Sequence, residues 1–132
     1  MSSKLLKVII PAGLAIFLLA CAAVQVQNID NAPISTSNSS YDLNDVTKAI
    51  QRAGTGLGWQ MKEETPGHIV GTLFLRKHMA KVDITYTLDD YSIKYKDSQN
   101  LNYDAAKDTI HKNYNGWIQN LTNAINSQLL TL

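Results

Sequence analysis

The stretch that decides the fold is MAKVDITYTL, residues 79–88. Apolar and polar residues alternate along it, which predicts a β-strand with one face in the core and one face in solvent. The residues predicted to point inward are Ala80, Val82, Ile84, Tyr86 and Leu88. Asp89 and Asp90 follow directly and predict a tight turn.

The same alternation continues on both sides of this strand. YSIKYK (91–96) follows the aspartates, while WQMKE (59–63) and HIVGTLFLR (68–76) come before the strand. Pro66-Gly67 predicts a turn between the two earlier segments. The pattern predicts a four-stranded antiparallel meander that is covered on one face.

Apolar residues at helical spacing flank the meander. The first stripe consists of Leu43, Val46, Ile50 and Ala53. The second stripe runs from Ile110 to Leu129. Because both stripes need an apolar partner and the meander offers one such face, we expect an α+β fold. It is a two-layer sandwich in the order helix, four strands, helix, formed by a single domain over 42–132, with both helices on one sheet face.

The N-terminus has the pattern of a secretory signal. Lys4 and Lys7 precede an apolar run from Val8 to Ala20. At about 1.5 Å per helical residue, this run is too short for the roughly 30 Å hydrocarbon core of a bilayer. We therefore predict a signal peptide over residues 1–20 rather than a membrane span.

The apolar run ends in LLAC (18–21), which contains the single cysteine of the chain. These residues resemble the lipobox of bacterial lipoprotein precursors, except that Leu19 stands where a small residue is commoner. The resemblance implies that Cys21 is lipidated and that cleavage occurs before it. Several acyl chains together would anchor the protein to a membrane. The alternative is a buried free thiol in an ordinary helix.

Three further features bear on location and partners. Ala22, not Asp, follows Cys21, which resembles the signal for transfer to the outer membrane in enterobacterial-type lipoproteins. Residues 21–41 are rich in Ser, Asn, Thr and Pro in their second half and are predicted to form a lipidated flexible tether. Removal of residues 1–20, which include Lys4 and Lys7, lowers the formal net charge from +1 to −1, and this near balance gives no basic stripe of the kind that binds nucleic acid.

Several motifs of the predicted domain resemble a family of small lipoproteins of Gram-negative bacteria that has no established activity. They are GWQM (58–61), PGHIVGTL (66–73), VDITY (82–86), YSIKYKDSQNLNYD (91–104) and IHKNYNGWIQNL (110–121). The resemblance implies a lipobox and a compact α+β domain. It brings no catalytic residue to this chain.

The richest polar stretch is the loop KDSQNLNYD (96–104). Asn100, Asn102 and Asp104 alternate like the start of a calcium loop, but the glycine of such loops is missing and the twelfth position is His111. The candidate residues for a cation or small polar ligand are Asp97, Ser98, Asn100, Asn102, Asp104 and His111. We favour the alternative that these side chains form turns and caps.

Catalytic and metal patterns are weak. Ser98 lacks the glycines of a nucleophile elbow, although His111 and Asp104 complete a nominal triad. His68, His78 and His111 are not spaced like the local ligand pairs of zinc sites. The sequence therefore predicts a protein that is not an enzyme and has no cofactor or metal site.

The solvent side of the predicted sheet offers a different kind of site. Val70 and Phe74 should point outward among charged residues, and an apolar spot with a charged rim can be an interaction surface. The alternative is that both are scattered surface residues. We predict an envelope lipoprotein, anchored in the outer membrane and facing the periplasm, that binds an envelope protein. A module that binds a small ligand or cation through 97–104 and His111 is the alternative.

Overall fold

The computed structural model describes Gly13 and residues 23–132. The predicted signal peptide, apart from Gly13, and the predicted lipidation site Cys21 lie outside the described residues. The elements in the described part are β1 (Ala23–Gln25), β2 (Ile29–Pro33), α1 (Leu43–Gly56), β3 (Gln60–Thr65), β4 (His68–Leu75), β5 (His78–Tyr86), β6 (Asp90–Gln99), β7 (Thr109–His111) and α2 (Lys112–Leu129).

The fold is α+β, as the sequence predicts. Strands β3 to β6 lie side by side in chain order, and each pairs antiparallel with the next. The predicted number of four strands is wrong, because β2 pairs antiparallel with β6 and gives a five-stranded sheet in the order β2-β6-β5-β4-β3. The short strands β1 and β7 form a separate two-stranded sheet.

Both helices share one buried apolar cluster with the sheet. The stripe of α1 contributes Val46, Ala49, Ile50 and Ala53, and that of α2 contributes Tyr114, Ile118, Leu121, Ile125 and Leu129. The sheet contributes Ile69, Leu73, Ala80, Val82, Ile84, Tyr86, Tyr91 and Ile93. The prediction that Leu88 faces inward is wrong, since Leu88 is 44% exposed. The Thr87 hydroxyl accepts from the amides of Asp89 and Asp90, so the turn starts before Leu88.

The segment predicted as a flexible tether contains structure. Val26 is only 8% exposed, and Ile29, Ala32 and Ile34 pack against the core. The tether prediction is therefore wrong for residues 23–34. The argument from polar composition fails here, because four apolar side chains of this stretch pack against the distant strand β6 and beside α2.

A single asparagine of α2 holds the start of this segment. The Asn115 amide donates to the Gln25 carbonyl at 2.8 Å, and its oxygen accepts from the Gln27 backbone N–H at 2.9 Å. The Val26 N–H also donates to the Asp108 carbonyl at 2.9 Å. These bonds fix the chain beside the N-terminal half of α2.

Candidate functional site

The first candidate surface is the side of β4 that faces away from the core. Ile69 and Leu73 are buried, so the alternation of the strand turns Val70 and Phe74 to the other side. Phe74 is 61% exposed and pairs across the strands with Met79, while Val70 is half-buried. Thr72 lies between them on the same side of the strand, so Val70 and Phe74 do not form one continuous apolar patch.

Charged groups surround Val70. Asp83 is its cross-strand partner on β5, and the Asp83 carboxylate accepts from His68 Nε2 at 2.7 Å. Lys96 Nζ approaches the other carboxylate oxygen at 3.5 Å. Lys94 lies 3.9 Å from Asp30 at the β2 edge. We call this side of the sheet, with Val70, Phe74, Asp83 and Lys94, the outer face.

The structure places the predicted ligand loop at the end of β6. Asp97 Oδ1 accepts from the Ser98 backbone N–H at 2.8 Å, and Ser98 Oγ lies 2.7 Å from the Tyr95 hydroxyl. The Asp104 carboxylate accepts from the amides of Ala106 and Lys107 at 3.0 and 3.2 Å. The side-chain oxygens of Asp97, Ser98 and Asp104 thus already accept or share local hydrogen bonds.

The two asparagines of this loop have a conformational role. Asn100 and Asn102 both have positive φ angles, 57° and 52°, a region in which asparagine is more readily accommodated than most residues. The Asn100 amide donates to the Lys77 carbonyl at 2.6 Å, and the Asn100 carbonyl lies 2.8 Å from His78 Nδ1. Asn100 therefore ties the loop to the hairpin between β4 and β5.

His111 bonds backbone groups rather than the carboxylates of the loop. It is the N-cap of α2, where its Nδ1 accepts from the Asn113 amide at 3.1 Å. Its ring is 6.5 Å from that of His78, which is 6.2 Å from Trp117. Among the described residues, no group of three or more His, Cys, Asp or Glu side chains could hold a metal ion.

Three tyrosines form an aromatic cluster beside the loop, which the sequence analysis does not predict. Tyr95 stacks on Tyr103 at 4.0 Å between ring centroids and meets Tyr114 edge-on at 5.7 Å. The Tyr114 hydroxyl is buried, and the described residues offer it no hydrogen-bond partner. This burial raises the pKa of the Tyr114 hydroxyl far above its ordinary value.

Replacement of Tyr114 by Phe should stabilise the protein, because it removes a buried hydroxyl that lacks a partner. Such a group costs about 1–3 kcal/mol, so we expect the free energy of unfolding to rise by about 1 kcal/mol in urea denaturation. Tyr91→Phe is the matched control, because the Tyr91 hydroxyl donates to Asn126 Oδ1 at 2.6 Å and its loss should destabilise the protein. A destabilised Tyr114→Phe variant would show that the Tyr114 hydroxyl has a partner.

Comparisons of the chain with protein-family models, with curated proteins and with solved structures found no match. Within residues 23–132, neither helix is long and apolar enough to cross a membrane.

Proposed function

We propose that the protein is a lipoprotein of the bacterial cell envelope, lipidated at Cys21 and held in the outer membrane with its domain in the periplasm. We propose further that the domain is not an enzyme and binds an envelope protein through the outer face. The lipobox resemblance supports the anchor. The exposed Phe74 is the observation that carries the binding function.

The distribution of apolar residues supports an interaction at the outer face. We infer a two-layer arrangement in which both helices cover one side of the sheet, so that neither helix covers the other side. Phe74 is a large aromatic side chain, 61% exposed near the C-terminal end of β4, where it pairs with Met79. Aromatic residues that become buried on association often supply much of the binding energy, while a charged rim selects the partner.

The hydrogen bonds around the loop from Asp97 to Asp104 give little support to a catalytic role. Ser98 Oγ bonds the Tyr95 hydroxyl, and His111 Nδ1 accepts from a helix amide. Neither group is bonded to the other as a nucleophile is to its general base. The alternative of a small-ligand module has less support than the outer face, because Asp97, Asn100 and Asp104 already bond nearby backbone groups.

Phe74→Glu should abolish binding of the partner while the fold is retained. The test is chemical cross-linking of the full-length protein in cells, followed by mass spectrometry. If Phe74 is a hot spot worth about 2 kcal/mol or more, the yield of the cross-linked partner should fall roughly 30-fold.

Leu130→Glu is the matched control, because Leu130 is 63% exposed at the end of α2 and is not on the outer face. Its cross-linked yield should equal that of the unmodified protein. Equal yields for the two variants, or no partner cross-linked to the unmodified protein, would contradict the proposed binding function.

A further inference from the structure

The topology sorts the charges of the domain to opposite ends of the sheet. The hairpin between β4 and β5 carries Arg76 and Lys77, and α2 begins at Lys112; all three side chains are exposed. The 6.5 Å distance between the His78 and His111 rings brings the hairpin and the helix start together. We call this region, with Arg76, Lys77 and Lys112, the basic end.

The other end of the sheet is acidic. Its acidic residues are Asp42, Asp45, Glu63, Glu64, Asp89 and Asp90. The Tyr41 hydroxyl donates to the Leu88 carbonyl at 2.6 Å and joins the start of α1 to the turn between β5 and β6. The Tyr86 N–H donates to the Gly67 carbonyl at 2.9 Å and brings in the turn between β3 and β4. We call this region the acidic end.

The chain enters the described fold at the basic end. Ala23 is the first residue of β1 and pairs with His111, directly before Lys112. Ala23 follows Cys21 by two residues, a span of at most about 7 Å. A lipid on Cys21 would therefore begin close to the basic end, with no long tether between the membrane and the domain.

Apolar side chains accompany the cations at this end. Leu57 and Leu75 are 43% and 44% exposed, and with the half-buried Trp117 they line a depression of about 120 Å³. Tryptophan and basic residues are typical of the zone where a protein meets lipid headgroups. The neighbouring turn holds Lys107 with Asp104 and Asp108 and carries one net negative charge, while Asp97 is offset by its cross-strand partner Lys81. The three cations of the basic end outnumber this charge.

We propose that the basic end rests on the anionic headgroups of the leaflet that holds the lipid, with the acidic end directed away from it. This inference rests on the proposed lipidation of Cys21. Each basic residue close to an anionic surface strengthens the association by roughly fivefold. Acidic residues at the far end disfavour the reverse orientation.

The orientation has a consequence for the outer face. Strand β5 runs from His78 at the basic end to Tyr86 at the acidic end, a length of roughly 27 Å. The sheet therefore stands upright on the membrane. The outer face then looks sideways, with Phe74 close to the basic end and Val70 and Asp83 farther from the membrane, where a protein in the periplasm can reach them.

The test measures the orientation of the full-length lipidated protein on anionic vesicles. They consist of phosphatidylethanolamine with about a third of phosphatidylglycerol. One cysteine is added for a fluorescent label, either Asn113→Cys at the basic end or Ser39→Cys near the acidic end. Both positions are exposed, and neither substitution alters a charge. Nitroxide-labelled lipids should quench the label at 113 at least several-fold more than the label at 39.

Charge reversal then tests the cause of the orientation. The variant Arg76→Glu, Lys77→Glu, Lys112→Glu should reduce quenching at 113 to the level found at 39. The matched control Lys48→Glu, Arg52→Glu, Lys62→Glu reverses three exposed cations outside the basic end and should leave the difference intact. Neutral phosphatidylcholine vesicles should weaken the difference for the unmodified protein.

The outcomes separate this inference from the lipid anchor. If the protein floats with the vesicles and both labels are quenched equally, the anchor stands and the proposed orientation is overturned, which leaves the basic end free for an acidic protein partner. If the unmodified protein does not float with the vesicles, the lipidation and the orientation both fail. An unchanged difference in the basic-end variant would overturn the electrostatic cause.

Discussion

Deletion of residues 23–34 is expected to abolish the cooperative unfolding transition of the domain. This segment contains β1 and β2, and β2 is the edge strand that pairs with β6. Its removal takes Val26, 8% exposed, out of the core and uncovers the apolar surface beneath Ile29 and Ile34. It also leaves the Ser92 hydroxyl, in a residue 7% exposed, without the Asn31 N–H that it accepts at 2.9 Å.

The size of the expected loss follows from the buried side chains. A fully buried Val or Ile contributes about 1.5–3 kcal/mol relative to an exposed one. Val26 is nearly fully buried, and Ile29 and Ile34 are partly buried and contribute less each. Together with the strand pairing, their loss amounts to a large share of the roughly 5–15 kcal/mol by which domains of this size are stable. We therefore expect little or no two-state transition in urea, monitored by circular dichroism.

Replacement of residues 37–40 by a Gly-Ser-Gly-Ser sequence is the matched control. These residues are exposed and hold only local bonds, such as that from the Ser40 N–H to Asn38 Oδ1 at 2.9 Å. The change should cost less than about 1 kcal/mol. If the 23–34 deletion instead unfolds at the midpoint of the intact chain, the segment is a tether, as its composition indicates.

The contrast between β2 and the meander shows what a sequence pattern can reveal. Strands β4 to β6 alternate over most of their length, and each pairs with a neighbour only a short turn away. Strand β2 lacks this signal, because Asn31 has a φ of 49° and disturbs the register between Ile29 and Ala32. Its partner β6 is about 60 residues distant, so composition alone suggests disorder.

The candidate surfaces also differ in whether the sequence predicts them. The outward direction of Val70 and Phe74 follows from alternation within one strand, so the sequence predicts it. The stacking of Tyr95 on Tyr103 and the orphan hydroxyl of Tyr114 depend on how the loop after β6 folds back toward α2, which no local pattern encodes.

The charge separation also depends on topology. Acidic and basic residues are mixed along the chain, and the near-neutral total hides any asymmetry. Hairpins bring Arg76 and Lys77 to one end of the sheet and Asp89 to the other, because successive turns of a meander alternate between ends. A composition argument excludes a basic stripe for nucleic acid, but it cannot locate a cationic end.

On the proposed lipidation of Cys21, Cys21→Ser is expected to remove the protein from the outer membrane. Serine has no sulfur for the thioether bond to a diacylglyceryl group, so incorporation of labelled fatty acid should fall to background. Each buried CH₂ of an acyl chain contributes about 0.8 kcal/mol to membrane binding, and two or more chains make attachment stable. The outer-membrane fraction of the protein should therefore fall at least tenfold, which fractionation and immunoblotting measure.

Ala22→Ser is the control for a change beside the cleavage site, since it retains the thiol. It should keep the fatty acid label and a mature chain that is 20 residues shorter than the precursor. If Cys21→Ser protein remains in the outer membrane at the mature size, the lipid is not the anchor. Any vesicle binding that the unlipidated variant retains should come from Arg76, Lys77 and Lys112. It should therefore weaken as salt shortens the screening length from about 10 Å at 0.1 M to about 3 Å at 1 M.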